Sequence, residues 1–211
     1  MKLKNCIFDM DGTLVDSMGY WRGLERDFLV RHGADDTPAL NELLDLAKPL
    51  PLIQAAELFI HHCGLADPPE QARDEMMNMM KVHYQQDVQL KPGVTAYLTE
   101  LKRQGAHMCV VTATPKHLVE ICLSRFKLLP YFDFLLTCDE VGAGKDHPDV
   151  FLTAARRLNA SPSEIAVFED SLQAAQTAKQ AGFYTVGIYD ETGAAYWSVL
   201  SEAADETMRH W

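Results

Sequence analysis

The feature of this sequence that most constrains its fold is a regular alternation of short apolar segments and longer amphipathic segments after residue 93. Apolar segments of strand length occur at 107–111, 134–136, 165–168 and 184–188. Segments of helical length occur at 94–103, 116–126, 148–158 and 172–181. Short apolar strands that alternate with helices are typical of a parallel sheet with both faces covered. We therefore predict an α/β fold.

One more predicted strand, Leu3–Phe8, precedes a long stretch that shows no strand pattern. Residues 17–89 instead favour helices, of which the first is predicted at Met18–Arg31. We therefore predict an α/β core formed by 1–16 and 90–211, with 17–89 inserted as a helical domain. Ligands of open α/β sheets bind at the carboxyl ends of the strands, so we expect the insertion to cap the site.

Two acids, Asp9 and Asp11, end the first predicted strand. Residues i and i+2 of an extended segment point the same way, so both carboxylates are expected to face one small substrate. Gly12 permits a sharp exit from the strand. Taken alone, an acidic turn that caps backbone donors is the simpler interpretation of these residues.

A second acidic pair, Glu169 and Asp170, follows the predicted strand at 165–168. Right-handed crossovers bring the carboxyl ends of parallel strands to one edge, so this pair is expected to approach Asp9. Three carboxylates offer hard oxygen ligands, which suit Mg²⁺ rather than zinc. Helix capping is the alternative role for Asp170, although Ser171 is available to cap that helix instead.

Two further residues are candidates for binding an anionic substrate. Lys145 lies in a glycine-containing loop that is not a P-loop, because its spacing is wrong and no Ser or Thr follows the lysine. We assign it a functional role because the other strand-end loops of the core are short of positive charge. Thr112 directly follows the strand predicted at 107–111 and offers a hydroxyl donor to phosphate.

Composition excludes several classes of protein. The chain has 19 Lys and Arg against 30 Asp and Glu, a net charge of −11, which disfavours nucleic acid as a partner. Its sequence contains no run approaching the roughly 18 apolar residues of a membrane span. The five cysteines are odd in number and form no CxxC pair, which indicates a reduced, cytoplasmic protein.

Four segments together resemble the motifs of the haloacid dehalogenase-like superfamily, in its subfamily with a helical cap. They are Asp9–Asp16 (DMDGTLVD), Val110–Thr114 (VVTAT), Gly144–Phe151 (GKDHPDVF) and Val167–Ser171 (VFEDS). All four occur in the family's order, and the resemblance extends over essentially the whole chain. It implies a Rossmann-like parallel sheet with an inserted all-helical cap domain.

The resemblance also implies a phosphatase that acts on a small phosphorylated metabolite, with a role for each matching residue. Asp9 would be the nucleophile that forms an aspartyl-phosphate, and Asp11 would be the general acid and then the general base. Thr112, Ala113 and Lys145 would hold the phosphoryl oxygens. The ligands of Mg²⁺ would be Asp9, the backbone carbonyl of Asp11, Asp170 and, directly or through water, Glu169.

Several alternative activities compete with phosphate-ester hydrolysis. Dehalogenation needs no general acid at Asp11, and phosphonate-hydrolysing relatives usually have Ala there. A sugar phosphomutase of the β-phosphoglucomutase type is the main alternative, but those relatives usually carry His near the position of Trp21. They also carry a Ser-Arg pair where this chain has 48–54. Receiver domains also phosphorylate an Asp, but they lack a helical insertion after the first strand.

Three residues of the predicted cap are candidates for contacting the substrate. Tyr20 and Trp21 lie near the predicted hinge, and Lys48 is the residue available in place of the mutase Ser-Arg pair. Aromatic residues of an amphipathic helix more often pack within their own domain. The methionines at 76–80 are likewise predicted to belong to the interior of the cap.

Overall fold

The computed structural model describes residues 4–47 and 52–211. The helices are α1 Met18–Arg31, α2 Pro38–Ala47, α3 Leu52–Cys63, α4 Pro69–Gln86, α5 Val94–Arg103, α6 Lys116–Arg125, α7 Cys138–Val141, α8 Asp149–Leu158, α9 Leu172–Gln180 and α10 Trp197–Ala203. The strands are β1 Asn5–Phe8, β2 Val15–Asp16, β3 Gln89–Leu90, β4 His107–Thr112, β5 Phe134–Thr137, β6 Ile165–Glu169, β7 Tyr184–Ile188 and β8 Glu206–Met208.

These residues form two compact units. The first, the core unit, runs to Met18 and resumes at Val88–Trp211. The second, the helical unit, is Gly19–Asp87. No helix among the described residues has the length and apolar character needed to cross a bilayer.

The core unit is built on one parallel sheet, in the strand order β5-β4-β1-β6-β7-β8. Strand β1 lies at its centre, where Phe8 pairs with Val110 of β4 and with Phe168 of β6. The residues that follow these positions therefore emerge at the same edge of the sheet. The predicted α/β class is confirmed, and β8 is an additional strand that the sequence did not reveal.

Apolar residues cover both faces of the sheet, because successive side chains of a strand point to opposite faces. On one face, Ile7 and Val167 belong to a buried cluster with Phe151 of α8 and Ala178 of α9. On the other face, the rings of Phe8 and Phe168 stack with centroids 4.5 Å apart, and Tyr97 of α5 meets Phe168 edge-on. Burial on both faces explains why these strands are apolar throughout.

The helical unit contains α1 beyond Met18 and all of α2, α3 and α4. Helix α1 has the predicted bounds, and the methionines Met76, Met79 and Met80 of α4 are buried as predicted. Helix α2 was not predicted from the sequence. It begins at Pro38, whose fixed φ suits the first turn of a helix.

A short antiparallel ribbon joins β2 to β3 within the core unit, at the two places where the chain leaves that unit and returns. Val15 pairs with Leu90 and Asp16 with Gln89. Each strand has only two residues, which is too short to produce a hydrophobic period in the sequence. No strand was predicted here for that reason.

Candidate active site

Three acids meet at the carboxyl ends of β1 and β6. Oxygens of Asp9, Glu169 and Asp170 all lie within 4.8 Å of one another. The backbone N–H of Asp9 donates to the carbonyl of Phe168 at 3.0 Å, which fixes the end of β1 against β6. Asp9 is 6% exposed and Glu169 is 2% exposed, so the cluster is largely removed from water.

One lysine neutralises part of this charge. The Lys145 ammonium donates to the Asp9 carboxylate and, at 2.9 Å, to Oε2 of Glu169. Burial lowers the pKa of Lys145, but the charges of Asp9 and Glu169 outweigh it and raise that pKa above its ordinary value. The lysine is therefore a fixed positive charge within the acidic cluster.

Burial and mutual repulsion disfavour the charged forms of two of these acids. The pKa of Asp9 is raised well above its ordinary value by burial and by the charge of Glu169, although Lys145 opposes the shift. The pKa of Asp170 is raised to about 7 by burial and by the charge of Glu169. The positive charge of Lys145 is therefore not enough to cancel the effects of burial and repulsion on these acids.

A tight loop after β1 brings the backbone close to Asp170. The N–H of Leu14 donates to the carbonyl of Met10 at 2.8 Å, and Gly12 has a φ of +80°. A Cβ at Gly12 would collide with the Asp170 carboxylate, so any other residue here would have to displace that side chain as well as adopt a left-handed backbone. The Thr13 hydroxyl donates to Oδ1 of Asp170 at 3.1 Å, which ties the loop to that acid.

Both carboxylate oxygens of Asp11 accept hydrogen bonds from hydroxyl groups. Ser17 donates to Oδ1 at 2.6 Å, and Thr114 donates to Oδ2 at 2.7 Å. Asp11 also contributes, by its charge, to the raised pKa of Asp9. Nothing in the local sequence links Ser17 or Thr114 to Asp11, so neither residue was assigned a role in the site from the sequence.

Two of the predicted phosphate-binding residues, Thr112 and Ala113, lie at the carboxyl end of β4. Thr112 is its last residue and is 1% exposed, and its hydroxyl accepts a hydrogen bond from the N–H of Thr114 at 3.0 Å. Ala113 follows and is exposed. The backbone turn at 112–114 therefore starts one strand away from Asp9, because β4 is the neighbour of β1.

A second buried lysine corrects one argument made from the sequence. Lys91 donates to the carbonyl of Tyr189 at 2.8 Å and pairs with Asp190 at 3.0 Å. Its side chain is 12% exposed and that of Asp190 is 3% exposed. The charge of Lys91 lowers the pKa of Asp170 while that of Asp190 raises it. The sequence had suggested a shortage of positive charge in the other strand-end loops, but Lys91 supplies a second positive charge close enough to affect Asp170.

The cap candidates have partners inside the helical unit. The indole N–H of Trp21 donates to the hydroxyl of Tyr84 at 3.0 Å. The ring of Tyr20 lies against that of His83, with centroids 4.6 Å apart. Lys48 lies outside the described residues.

The acidic cluster fits a hard divalent cation. All of its ligand atoms are carboxylate oxygens, which is the donor set that Mg²⁺ prefers. The raised pKa values of Asp9 and Asp170 come first from burial and then from the charge of Glu169, and a bound cation would relieve the repulsion among these acids. The collision of a Cβ at Gly12 with Asp170 shows that this side of the cluster is closely fitted.

Comparison with known proteins identifies the family. A model of the haloacid dehalogenase-like hydrolases matches residues 3–182. Over 176 residues the chain is 28% identical to the phosphorylated carbohydrates phosphatase of Thermotoga maritima, covering 83% of this chain and 80% of that protein. It is 30% identical to hexitol phosphatase B of Escherichia coli, with coverage of 83% and 78%.

A solved structure agrees with the sequence matches. The crystal structure of a candidate β-phosphoglucomutase from Thermotoga maritima has a TM-score of 0.78 to this chain at 25% identity, covering 97% of this chain and 94% of that one. The family resemblance drawn from the four motifs is thus confirmed. Because the family model spans most of its length, the chain belongs to the haloacid dehalogenase-like hydrolases and is an enzyme of that family.

Proposed function

We propose that this enzyme is a Mg²⁺-dependent phosphatase that hydrolyses a small organic phosphate monoester through an aspartyl-phosphate. The observation that carries this proposal is the buried contact of Lys145 with both Asp9 and Glu169. A carboxylate nucleophile beside a fixed ammonium is suited to phosphoryl transfer, which depends on positioning and charge neutralisation. The curated relatives named above are phosphatases, which supports the same reaction.

In the first step, an oxygen of Asp9 attacks phosphorus and the bond from phosphorus to the leaving oxygen breaks. Asp11 gives its proton to that oxygen, so the product leaves as an alcohol. Ser17 and Thr114 hold the Asp11 carboxylate through its two oxygens, which restricts its orientation. Lys145, with Thr112 and the backbone at Ala113, holds the phosphoryl oxygens in this proposal.

In the second step, water attacks the phosphorus of the aspartyl-phosphate and the bond to Asp9 breaks. Asp11, now a carboxylate, takes the proton from that water and returns to its starting state. Inorganic phosphate leaves, and Asp9 is again a carboxylate paired with Lys145. The same pair of acids therefore serves both halves of the reaction.

The metal in this proposal is held by Asp9, Asp170 and the backbone carbonyl of Asp11, with Glu169 directly or through water. When bound, Mg²⁺ would supply the positive charge that offsets the phosphate and the surrounding carboxylates. Thr13 orients Asp170 for this role through their 3.1 Å hydrogen bond. Lys145 donates a hydrogen bond to Oε2 of Glu169, which orients that carboxylate beside the metal ligands.

The substrate class that we propose is a phosphorylated carbohydrate or sugar alcohol. Two relatives carry this chemistry in their names, a phosphorylated carbohydrates phosphatase and a hexitol phosphatase. The predicted division into a core, 1–16 and 90–211, and a cap, 17–89, belongs to the same proposal. Substrate contact by Tyr20, Trp21 and Lys48 stays a prediction, as does a cytoplasmic location.

The test is release of inorganic phosphate from a panel of sugar, sugar-alcohol, glycolytic and nucleoside monophosphates, with and without Mg²⁺. The wild-type protein is expected to release phosphate from members of the panel only when Mg²⁺ is present. Asp9→Asn is expected to abolish release, because an amide cannot attack phosphorus. Asp139→Asn, at an exposed acid, is the matched control and should retain activity. Equal release by wild type and Asp9→Asn would contradict the proposal.

The phosphomutase alternative is favoured by one observation, the structural similarity to a candidate β-phosphoglucomutase. It predicts isomerisation of a sugar 1-phosphate in the presence of the sugar bisphosphate, with little net release of phosphate. Mutase relatives usually carry His near the position of Trp21, and the absence of that His argues against this alternative. Assaying both products in one reaction distinguishes the two functions.

A further inference from the structure

Trp211, which follows β8, lies against the residues that precede two of the clustered acids. Its ring stacks on that of Phe168 with centroids 5.6 Å apart and planes 30° from parallel. It also lies 6.0 Å from the ring of Phe8 and 5.1 Å from that of Tyr97. Phe8 precedes Asp9 and Phe168 precedes Glu169 in the chain, so one indole covers the strand ends that carry both acids.

The polar atom of this indole reaches the loop after β1. Trp211 Nε1 donates to the carbonyl of Thr13 at 3.1 Å. The hydroxyl of the same threonine donates to Oδ1 of Asp170 at 3.1 Å. Two hydrogen bonds therefore connect the indole to a carboxylate of the acidic cluster, with Thr13 between them.

The backbone around Gly93 is shaped to receive Trp211. Gly93 has a φ of +93°, and a Cβ there would lie 2.6 Å from the carbonyl oxygen of Trp211 and 3.0 Å from its Cβ. Such contacts are closer than non-bonded atoms tolerate, so glycine at this position is what lets the residue approach. Contacts of its ring with Phe168 and Tyr97 and the close approach of its backbone to Gly93 together fix the position of Trp211.

We propose that Trp211 is a positioning residue for metal binding, which it favours by holding Thr13 where its hydroxyl orients Asp170. The inference rests on the proposed function, because it presumes that Asp170 binds Mg²⁺. Trp211 acts through Thr13 and makes no contact with the reacting atoms in this account. Partners of metal ligands of this kind tune affinity because they fix the orientation of the ligand.

The test measures Mg²⁺ affinity by calorimetry on the protein without substrate. Trp211→Phe keeps an aromatic ring but removes the indole donor, and we expect it to weaken Mg²⁺ binding by about tenfold, the lower end for loss of an outer partner. Trp197→Phe is the matched control, since that indole lies in the same unit against Tyr189 and Arg209. It should leave Mg²⁺ affinity unchanged.

A double-variant cycle separates positioning from general stability. Thr13→Val removes the hydroxyl that bonds to Asp170, so adding Trp211→Phe to it should weaken Mg²⁺ binding little further. Fully additive losses, or unchanged affinity in Trp211→Phe, would overturn the inference. If Trp211→Phe does not fold, Gly93→Ala replaces it, because it displaces Trp211 without removing the indole, and the same weakening is expected. Absence of Mg²⁺ binding by the wild type would instead overturn the proposed metal site, and the inference with it.

Discussion

Lys145 donates a hydrogen bond to Asp9, a residue 136 positions earlier in the chain. Their side chains are 12% and 7% exposed, so the pair is almost entirely removed from water. A buried ion pair adds little net stability, but loss of one partner leaves an unpaired buried charge. In the protein without substrate, the proposed nucleophile Asp9 and the proposed phosphate-binding residue Lys145 therefore each supply the counter-charge that the other needs when buried.

Lys145→Met is expected to destabilise the protein without metal, because Asp9 and Glu169 lose their common partner. Removing one member of a buried pair typically costs about 3–5 kcal/mol. Lys116→Met is the matched control, since Lys116 pairs with Glu140 at the surface and such pairs contribute about 1 kcal/mol or less. Denaturant unfolding at a mildly alkaline pH measures the free energy of unfolding of both variants. Equal decreases in the two variants would show that the Lys145 contacts do not stabilise the fold.

Gly12→Ala tests the close fit of the loop around Asp170. Gly12 and Gly105 have nearly the same φ, +80° and +79°, but only at Gly12 would a Cβ meet another group. Both alanine variants should lose about 1–2 kcal/mol from the left-handed backbone. Gly12→Ala alone should also weaken Mg²⁺ binding, because the new methyl group displaces the Asp170 carboxylate. Equal Mg²⁺ affinity in the two variants, measured by calorimetry, would refute this account of the loop.

Asp170→Asn is expected to change how stability without metal depends on pH. The pKa of Asp170 is about 7 in the folded protein against an ordinary value of 3.8, so the folded state holds a proton that the unfolded state releases between these values. The free energy of unfolding of the wild type should therefore fall relative to Asp170→Asn as pH rises from about 4 to 7. It should change little above that range.

Thermal unfolding of the two proteins in a chelator, over a series of pH values, measures this difference. The variant should gain in melting temperature over the wild type as pH rises through the window. A difference that is constant with pH would mean that burial of Asp170 does not destabilise its charged form.

The sheet and the acidic cluster could be predicted from the sequence because their signal is local. The strands β1, β4, β5, β6 and β7 are short and mostly apolar runs, and Asp9 and Glu169 stand where two of these runs end. The parallel arrangement then places both acids at one edge of the sheet, and the pairing of β1 with β6 brings them together. The bounds were close as well, since the strand predicted at 165–168 extends to Glu169.

The supporting contacts could not be predicted in this way. Trp211 and Thr13 are 198 residues apart, and Lys91 and Asp190 lie in two separate connecting segments with no shared motif. Neither pair leaves a period or spacing in the sequence. Helix α2 and the two-residue strands of the β2–β3 ribbon likewise give signals too weak to distinguish from loops.

Asp11→Asn is expected to slow the first step by an amount that depends on the leaving group. Loss of a positioned general acid typically costs about 10²–10⁴-fold. The alkoxide that leaves from an alkyl phosphate is strongly basic and needs the proton, so the rate on alkyl phosphates should fall greatly. The phenolate that leaves from an aryl phosphate is stable without a proton, so the rate on aryl phosphates should fall little.

Single-turnover rates of wild type and Asp11→Asn across a series of phosphate monoesters measure this dependence. Ser17→Ala is an informative companion, because it removes a hydroxyl donor to Asp11 while leaving the carboxylate in place. Ser17→Ala should slow the first step less than Asp11→Asn does, and the slowing should again be larger for alkyl phosphates than for aryl phosphates. A mutational loss that is uniform across the series would exclude Asp11 as the general acid.

The most direct test of the central claim is to locate the phosphoryl group on the protein. Asp11→Asn mixed with an aryl phosphate and Mg²⁺ should accumulate the aspartyl-phosphate, because its hydrolysis lacks a general base. Borohydride reduction of the quenched protein converts a phosphorylated aspartate to homoserine, which peptide mass spectrometry can place in the sequence. We predict homoserine at position 9 and at no other position. Phosphate release without any reduced residue, or reduction at a different aspartate, would contradict the assignment of Asp9 as the nucleophile.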